Sequence, residues 1–422
     1  MFKFFCLFFT VILILSCRER DRNNPFDPHN DDEFIELGLS LHSTDSLITL
    51  SWNIPLKPDF SSFEIYKKEE GQDDFTLLAN ISNTVSHYND IINTLDIRYY
   101  YYIKLIGKGV ESPPTKTKSI VPGPGSIWML DDYLWEILKL NYDLSSTALR
   151  KVGVWKPENL TFAHEINRGL ITYPIFNYYE IFDLSSGNIL YGNQAIVRPF
   201  DAVYDNGLNR FWLIDSLGSL YIVDSTANEQ FAGKFFKKPV QIDMLDDQLV
   251  ILDKIMNGIY LFDRSPAQVD FISTNGNDEP FANLDLFRVD QLNKKVYLLD
   301  RLKDNNTLYK YNVEKNHLSV VFQDSLIRTF DVNKQDESIW IIIANKLNSE
   351  LLQLSSTGQR LVSIKGFNLP RDVKVNPYNG NVIVADITDQ LNILEQKVFH
   401  YRSNTLIGSF RTYGDPFKVY IE

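Results

Sequence analysis

One short pattern returns at a nearly fixed interval through most of the chain: an apolar run that closes on an acid or an amide. It reads "IWMLD" to Asp131, "FWLID" to Asp215, "LVILD" to Asp253, "VYLLD" to Asp300, "IIIAN" to Asn345 and "VIVAD" to Asp386. A degenerate copy, "GLITYP", ends at Pro174, and successive end points then lie 38 to 47 residues apart. A period of that length with no helical spacing predicts a repeating unit of four short strands. A second run follows each first one within a few residues, from "ILKLN" ending at Asn141 to "VFHYR" ending at Arg402. Six of these seven second runs stop at a residue whose side chain can close a turn. A further strand and a tight polar turn precede most first runs, as in "RDVKVNPYNGN" (Arg371 to Asn381), where Asn379-Gly380 is a strong hairpin signal.

The burial pattern of the two runs differs. The first is apolar throughout, as a strand covered on both faces should be. The second carries Lys139, Lys310, Gln353 or His400 at its third residue in four copies, which predicts one face in water. Seven copies are present, but the one at Ile127 has no preceding strand of its own. The C-terminal "DPFKVYIE" (Asp415 to Glu422) is similar to "RPFDAVYD" (Arg198 to Asp205) and is predicted to supply it, which would close a ring and remove an exposed sheet edge. On these residues the segment 126–422 resembles seven-bladed β-propellers of the NHL or YVTN-repeat type, with six blades as the alternative if the degenerate copy is not a blade. The fold class expected is therefore all-β.

The segment "VPGPGS" (Val121 to Ser126) reads as a linker. Before it, 34–122 alternates in short runs such as "LITLSWN" (Leu47 to Asn53), "SFEIYKK" (Ser62 to Lys68) and "RYYYYIKLIG" (Arg98 to Gly107), in which Tyr99, Tyr101, Ile103 and Leu105 share one face. Trp52, Tyr66 and "YYYYIKLIGKGVESPP" give this segment a resemblance to a fibronectin type III module, which implies a sandwich acting as a spacer or weak binding unit.

The chain opens on "MFKFFCLFFTVILILS", a single cation followed by an apolar run shorter than the ~18 residues a spanning helix wants. Residues 1–16 are read as an export signal. Ile14-Leu15-Ser16-Cys17 resembles the bacterial lipobox, which implies cleavage before Cys17 and its acylation, and more than one acyl chain is enough for stable anchoring. The polar stretch 17–33, with Pro25 and Pro28, reads as a lipidated tether. Arg18 is not the aspartate of the known inner-membrane retention signal, which favours the outer membrane. Both cysteines, Cys6 and Cys17, lie at or before position 17, so the body beyond has no disulfides. The net charge of −12 excludes nucleic acid as a partner, and removal of residues 1–16, with Lys3, takes it to −13.

Aligned on their leading residue, usually proline, the strands that precede the first runs carry Asn159, Asp201, Gln241, Asn283, Arg328, Asp372 and Lys418 at the third position. The fourth position is nearly all apolar and the fifth is mixed. Period-two alternation then puts positions three and five on the face that lines a central channel, and the predicted result is a polar ring at one mouth. Neighbouring charges such as Arg328, Asp372 and Lys418 are expected to pair, or else the ring contacts a ligand. At the fifth position Asp243 and Asp285 would sit on consecutive blades, where a calcium or magnesium ion is the alternative to a chain with no cofactor. Phe176 and Met256, in turns between first and second runs, are candidates for a contact surface. The six histidines are scattered and neither "HExxH" nor "GxSxG" occurs, so no catalytic set is predicted.

The function read from these residues is a membrane-anchored envelope lipoprotein. Its propeller binds a protein or glycan ligand, or serves as a scaffold, without catalysis. The alternative is a metal-dependent lactonase or hydrolase using channel carboxylates.

Overall fold

The computed structural model describes residues 24–26, 32–44, 46–56, 59–152, 156–264, 269–302, 305–345, 348–387, 396–412 and 414–422. The export signal, Cys17 and most of the tether lie outside them. The chain divides into two compact units between Gly123 and Pro124. No helix among the described residues is long and apolar enough to cross a membrane.

The first unit is two antiparallel sheets around one core. Ser40–Ser43, Leu47–Ser51 and His87–Ile91 make a three-stranded sheet. Thr76–Ser82, Ser62–Glu69 and Tyr99–Gly107 make the second, with Val110–Glu111 and Lys118–Ile120 both pairing with Tyr99–Gly107. Strand Tyr99–Gly107 alternates strictly, and Tyr99, Tyr101, Ile103 and Leu105 are at most 1% exposed. They meet Leu50, Trp52, Phe63 and Ile65 in one core, with Trp52 edge-on to Phe63 at 5.3 Å. Inside it the Asp90 carboxylate accepts the Tyr101 hydroxyl at 2.6 Å and pairs with Lys67 Nζ at 2.8 Å, which joins the two sheets.

The second unit is a β-propeller. Its described residues form seven four-stranded antiparallel sheets. Six follow the chain in order, and the seventh is completed by Pro416–Ile421, which pairs with Ile127–Asp131 through Lys418↔Leu130, Val419↔Met129 and Tyr420↔Trp128. The degenerate copy builds a full sheet from Asn159–Ala163, Arg168–Tyr173, Tyr178–Asp183 and Ile189–Asn193.

Apolar first runs explain why the sheets stack. "IWMLD", "FWLID", "LVILD", "VYLLD" and "VIVAD" are buried along their whole length, whereas "IIIAN" and "GLITYP" emerge at their last residues. Each contributes to two of seven apolar clusters, and every cluster draws on two neighbouring sheets; the last unites Ile127, Met129 and Val419 with Ile383, Ala385 and Val398. At roughly 1.5–3 kcal/mol for each fully buried aliphatic side chain, these seams are the main source of cohesion.

The acids that end the runs are buried strand-closers. Asp131 Oδ1 accepts the Tyr133, Leu134 and Asp415 amides at 2.7–3.0 Å, and Asp253 accepts those of Ile255 and Met256 as well as Lys237 and Lys238. Asp300 and Asp386 likewise receive amides from the segment entering the inner strand of their own sheet. One carboxylate thus fixes the turn after the first run, the loop before the inner strand, or both.

Second runs do not present a wet face. His400 is wholly buried, with Nδ1 2.6 Å from the Tyr142 carbonyl and its ring edge-on to Tyr142 at 4.6 Å. Lys139 pairs with Glu422 at 2.8 Å, Lys310 donates to the Ser356 carbonyl and Gln353 to Ser338. His400 and Lys310 meet the neighbouring sheet, while Lys139 and Gln353 are half-buried and bonded within their own.

Candidate functional site: the channel lined by the inner strands

The innermost strands are Asn159–Ala163, Pro199–Asp205, Pro239–Leu245, Leu284–Asp290, Ile327–Val332, Pro370–Val375 and Pro416–Ile421. They surround a cavity of about 640 Å³, within the usual range for a small-ligand site. In six of the seven the pairing slips by one residue just after the leading position, at Phe200, Val240, Asp285, Arg328, Arg371 and Phe417. All six extra residues line the cavity as an outer tier beside the loops that enter the strands. Bulges commonly re-aim a side chain at a rim in this way. Below them come two further tiers, Asn159, Asp201, Gln241, Leu286, Thr329, Asp372 and Lys418, then Thr161, Val203, Asp243, Arg288, Lys374 and Tyr420.

Of the seven residues predicted for the ring, six line this cavity and Asn283 does not. The aligned register is three residues out in that sheet. Leu284, not Phe281, occupies the place of the leading proline opposite Asp300, so Leu286 stands where Asn283 was expected. Asn283 lies in the entering loop, donating its amide to Asp300. In the next sheet Ile327 takes the leading place, which makes Arg328 the bulge residue and Thr329 the ring residue. Asp243 and Asp285 therefore do not share a tier. Asp285 is bound by Lys254 at 2.7 Å and Arg301 at 2.5 Å; burial pushes its carboxyl up, but these two bonds outweigh burial and hold it below the usual range. The two acids do not form the expected ion-binding pair, and among the described residues no cluster of three His, Cys, Asp or Glu could hold a metal.

Most ring side chains bond the inner strand of the neighbouring sheet. Asn159 Nδ2 donates to the Phe200 carbonyl at 3.0 Å, and Asp201 Oδ2 accepts the Ile242 amide at 3.0 Å. Gln241 clamps both the carbonyl and the amide of Phe287, at 2.9 and 3.1 Å. Arg288 pairs with Asp331 at 3.1 Å, Asp331 accepts the Val375 amide, and Asp372 accepts that of Val419. Lys418 reaches Asn159 at 2.8 Å and Tyr420 accepts the Leu160 amide. Every junction between neighbouring inner strands is thus bridged, including the one that closes the ring. The pairing expected among Arg328, Asp372 and Lys418 does not form, because the Asp372 carboxylate is taken by the Val373 and Val419 amides and Lys418 by Asn159 and Glu158.

Three cations remain once the bridging side chains are set aside. Neither the Arg328 nor the Arg371 guanidinium, both in the bulge tier, nor the Lys374 ammonium two tiers below makes a hydrogen bond or ion pair among the described residues. The Arg371 Nε is buried without a partner. Burial, then the neighbouring Arg371 and Arg301 guanidiniums, pulls Arg328 below the ordinary arginine range, and burial followed by Arg288 does the same to Lys374. Asp415 acts on both arginines but forms an ion pair with neither, and burial raises its carboxyl despite Arg371. On the opposite wall burial pushes Asp201 up to about 7, against the Ile242 amide and Lys418.

Phe200, Val240, Arg371 and Phe417 were missed in the sequence, and Arg328 and Asp285 were named but assigned to other tiers, because the extra residue breaks the period-two alternation on which the alignment relied. Their signal is the residue just after the leading proline: Phe200, Val240, Arg371 and Phe417. Phe176 and Met256 lie apart from the channel lining and are 39% and 40% exposed in their turns, with Ile175 and Ile255 beside them.

No protein-family model matches the chain, and no curated relative does. Among solved structures, a protein from Lactobacillus plantarum is similar over 71% of this chain and 99% of its own length, at 10% identity and a TM-score of 0.53. The dihydro-heme d1 dehydrogenase NirN, solved in complex with DHE, is similar over 70% of this chain and 74% of its own, at 9% identity and a TM-score of 0.50. The β-propeller domain of Myceliophteria thermophila Cps50 (Swd1) is matched over 60% of this chain and 88% of its own, at 10% identity and a TM-score of 0.48. At these identities the likeness to the first two concerns the fold alone, which is the β-propeller that the sheet order describes.

Proposed function

We propose that this chain is an exported, lipid-anchored binding protein. Acylated Cys17 would hold it to the outer membrane, and a fibronectin type III-like sandwich would act as spacer. A seven-bladed propeller of the NHL or YVTN kind, closed by its C-terminal strand, would then recognise a protein or glycan ligand at the channel mouth. The strand order of the first unit, with one three-stranded sheet and a second built around Tyr99–Gly107, supports the spacer assignment. The observation that carries the recognition role is the bulge tier. Six inner strands insert a residue that turns a side chain into the channel, and three of those side chains, Phe200, Arg328 and Arg371, take no part in bridging the sheets, whereas Val240 and Phe417 also pack against apolar seams and Asp285 is held by Lys254 and Arg301. A ring that needed only to close would not require them. Recognition needs no catalytic group, so the protein is read as a binder and not an enzyme.

Val240→Trp tests this, because a large side chain in the outer tier would plug the mouth without touching a bridging bond. Full-length protein solubilised in a non-ionic detergent should capture its envelope ligand, and the plugged variant should lose that capture. A Phe231→Ser control on the exposed outermost strand should retain it. Equal capture by the Val240 variant would overturn the proposal.

A further inference from the structure

The chemistry of the mouth goes further than its position. We infer that the ligand presents an oxyanion, a carboxylate or a phosphate, to Arg328 and Arg371. This rests on the channel mouth being the binding site. Two arginines stand at equivalent bulge positions on consecutive sheets, Ile327–Val332 and Pro370–Val375, and both line the cavity. Nearby cations in the same wall are occupied. Arg301 spends its three nitrogens on Asp285 and on the Ile327 and Arg328 carbonyls, Lys254 is held by Asp285, and Lys418 by Glu158 and Asn159. Arg328 and Arg371 have no such use, although each guanidinium offers a planar fork of donors suited to two parallel bonds with an oxyanion.

Leaving such groups half-buried, mutually repulsive and unbonded is costly to the fold. Removing either charge would relieve that cost, which points to a use outside the fold. Lys374 adds a third unpaired positive charge deeper in the same cavity. The same tier supplies aromatic faces from Phe200 on one side and Phe417 on the sheet next to Arg371, so the ligand body beyond its charged group meets apolar surface. A concentration of unpaired cations is the more pointed in a chain whose formal net charge is −12. It would focus an anionic ligand into the channel while the remaining surface repels it.

The test is calorimetric binding to the detergent-solubilised full chain, with inorganic phosphate, citrate, trigalacturonate and the neutral maltotriose as probes. At least one of the three anions should bind, most tightly at low salt. The double variant Arg328→Gln, Arg371→Gln should weaken it at least tenfold while leaving the melting temperature unchanged or raised. Arg328→Lys, Arg371→Lys should fall between the two, since it keeps the charge and loses the fork. Preference for phosphate, citrate or trigalacturonate distinguishes a free anion from an acidic glycan as the source. Failure of all three anions, or equal binding by the double Gln variant, overturns the inference. Binding of maltotriose as tight as that of any anion would overturn it too, yet leave the recognition role standing. Both fall if no probe binds and the Val240→Trp plug also leaves envelope capture unchanged.

Discussion

Gln241→Leu isolates the bonds that bridge one inner strand to the next. The side chain sits in the half-exposed wall of the channel and makes two hydrogen bonds with the backbone of a single residue on the following sheet, at 2.9 Å to the Phe287 carbonyl and 3.1 Å from the Phe287 amide. Leucine keeps the volume and removes both. The carbonyl retains a bond from Arg288 at 3.1 Å, whereas no replacement on the protein awaits the amide. With a net value of about 1 kcal/mol for an ordinary hydrogen bond and about 1–3 kcal/mol for stranding a buried donor, the loss comes to about 2 kcal/mol, reduced where channel water can reach the amide. For a unit of this size that lowers the melting temperature by about 4 °C. Thermal unfolding followed by circular dichroism would read it, beside a Gln230→Leu control on an exposed outermost strand. Hydrogen exchange at the Phe287 amide gives a second reading, because the bond that protects it is gone. A midpoint within 0.5 °C of the control, together with unchanged exchange at Phe287, would refute the idea that ring side chains hold the sheets together.

Three further outcomes are expected. Asp201 titrates near 7 in the folded chain against ~3.9 when unfolded, so the folded state keeps a proton the unfolded one releases; its unfavourable contribution is absent below pH 4, grows between pH 4 and 7 and is constant above. Asp201→Asn should therefore gain on wild type by on the order of 2–4 kcal/mol between pH 4 and pH 8 in denaturant unfolding, and a pH-independent difference would count against the buried carboxyl. In the first unit, Asp90→Ala strands the Tyr101 hydroxyl and the Lys67 ammonium in the core, and should cost about 3–5 kcal/mol by urea unfolding. Cys17→Ser should move the protein from the detergent phase to the aqueous phase in a cloud-point partition, and retention in detergent would exclude acylation as the anchor.

The architecture was legible because it rests on apolar burial, which the sequence displays directly. Runs such as "LVILD" are buried on both faces and recur at the spacing of a four-stranded sheet, and "DPFKVYIE" is similar enough to "RPFDAVYD" to point to the sheet it completes. Site register was less legible because it depends on one backbone irregularity. Where a proline leads the strand, as at Pro199, Pro239, Pro370 and Pro416, the alignment locates the ring residue. Where Leu284 or Ile327 leads instead, nothing in the local composition announces the bulge, and Asn283 and Asp285 were given positions they do not occupy. Polar residues of the second runs misled for a different reason: burial of His400 against Tyr142 depends on a neighbouring sheet far away in the chain.

The most direct test of recognition at the channel mouth is photo-crosslinking in living cells, with a benzophenone amino acid at Val240, at Met256 or at Phe231. Covalent adducts formed from position 240, and not from the turn or the outermost strand, are the expected result. Adducts from 256 or 231 with none from 240 would contradict it.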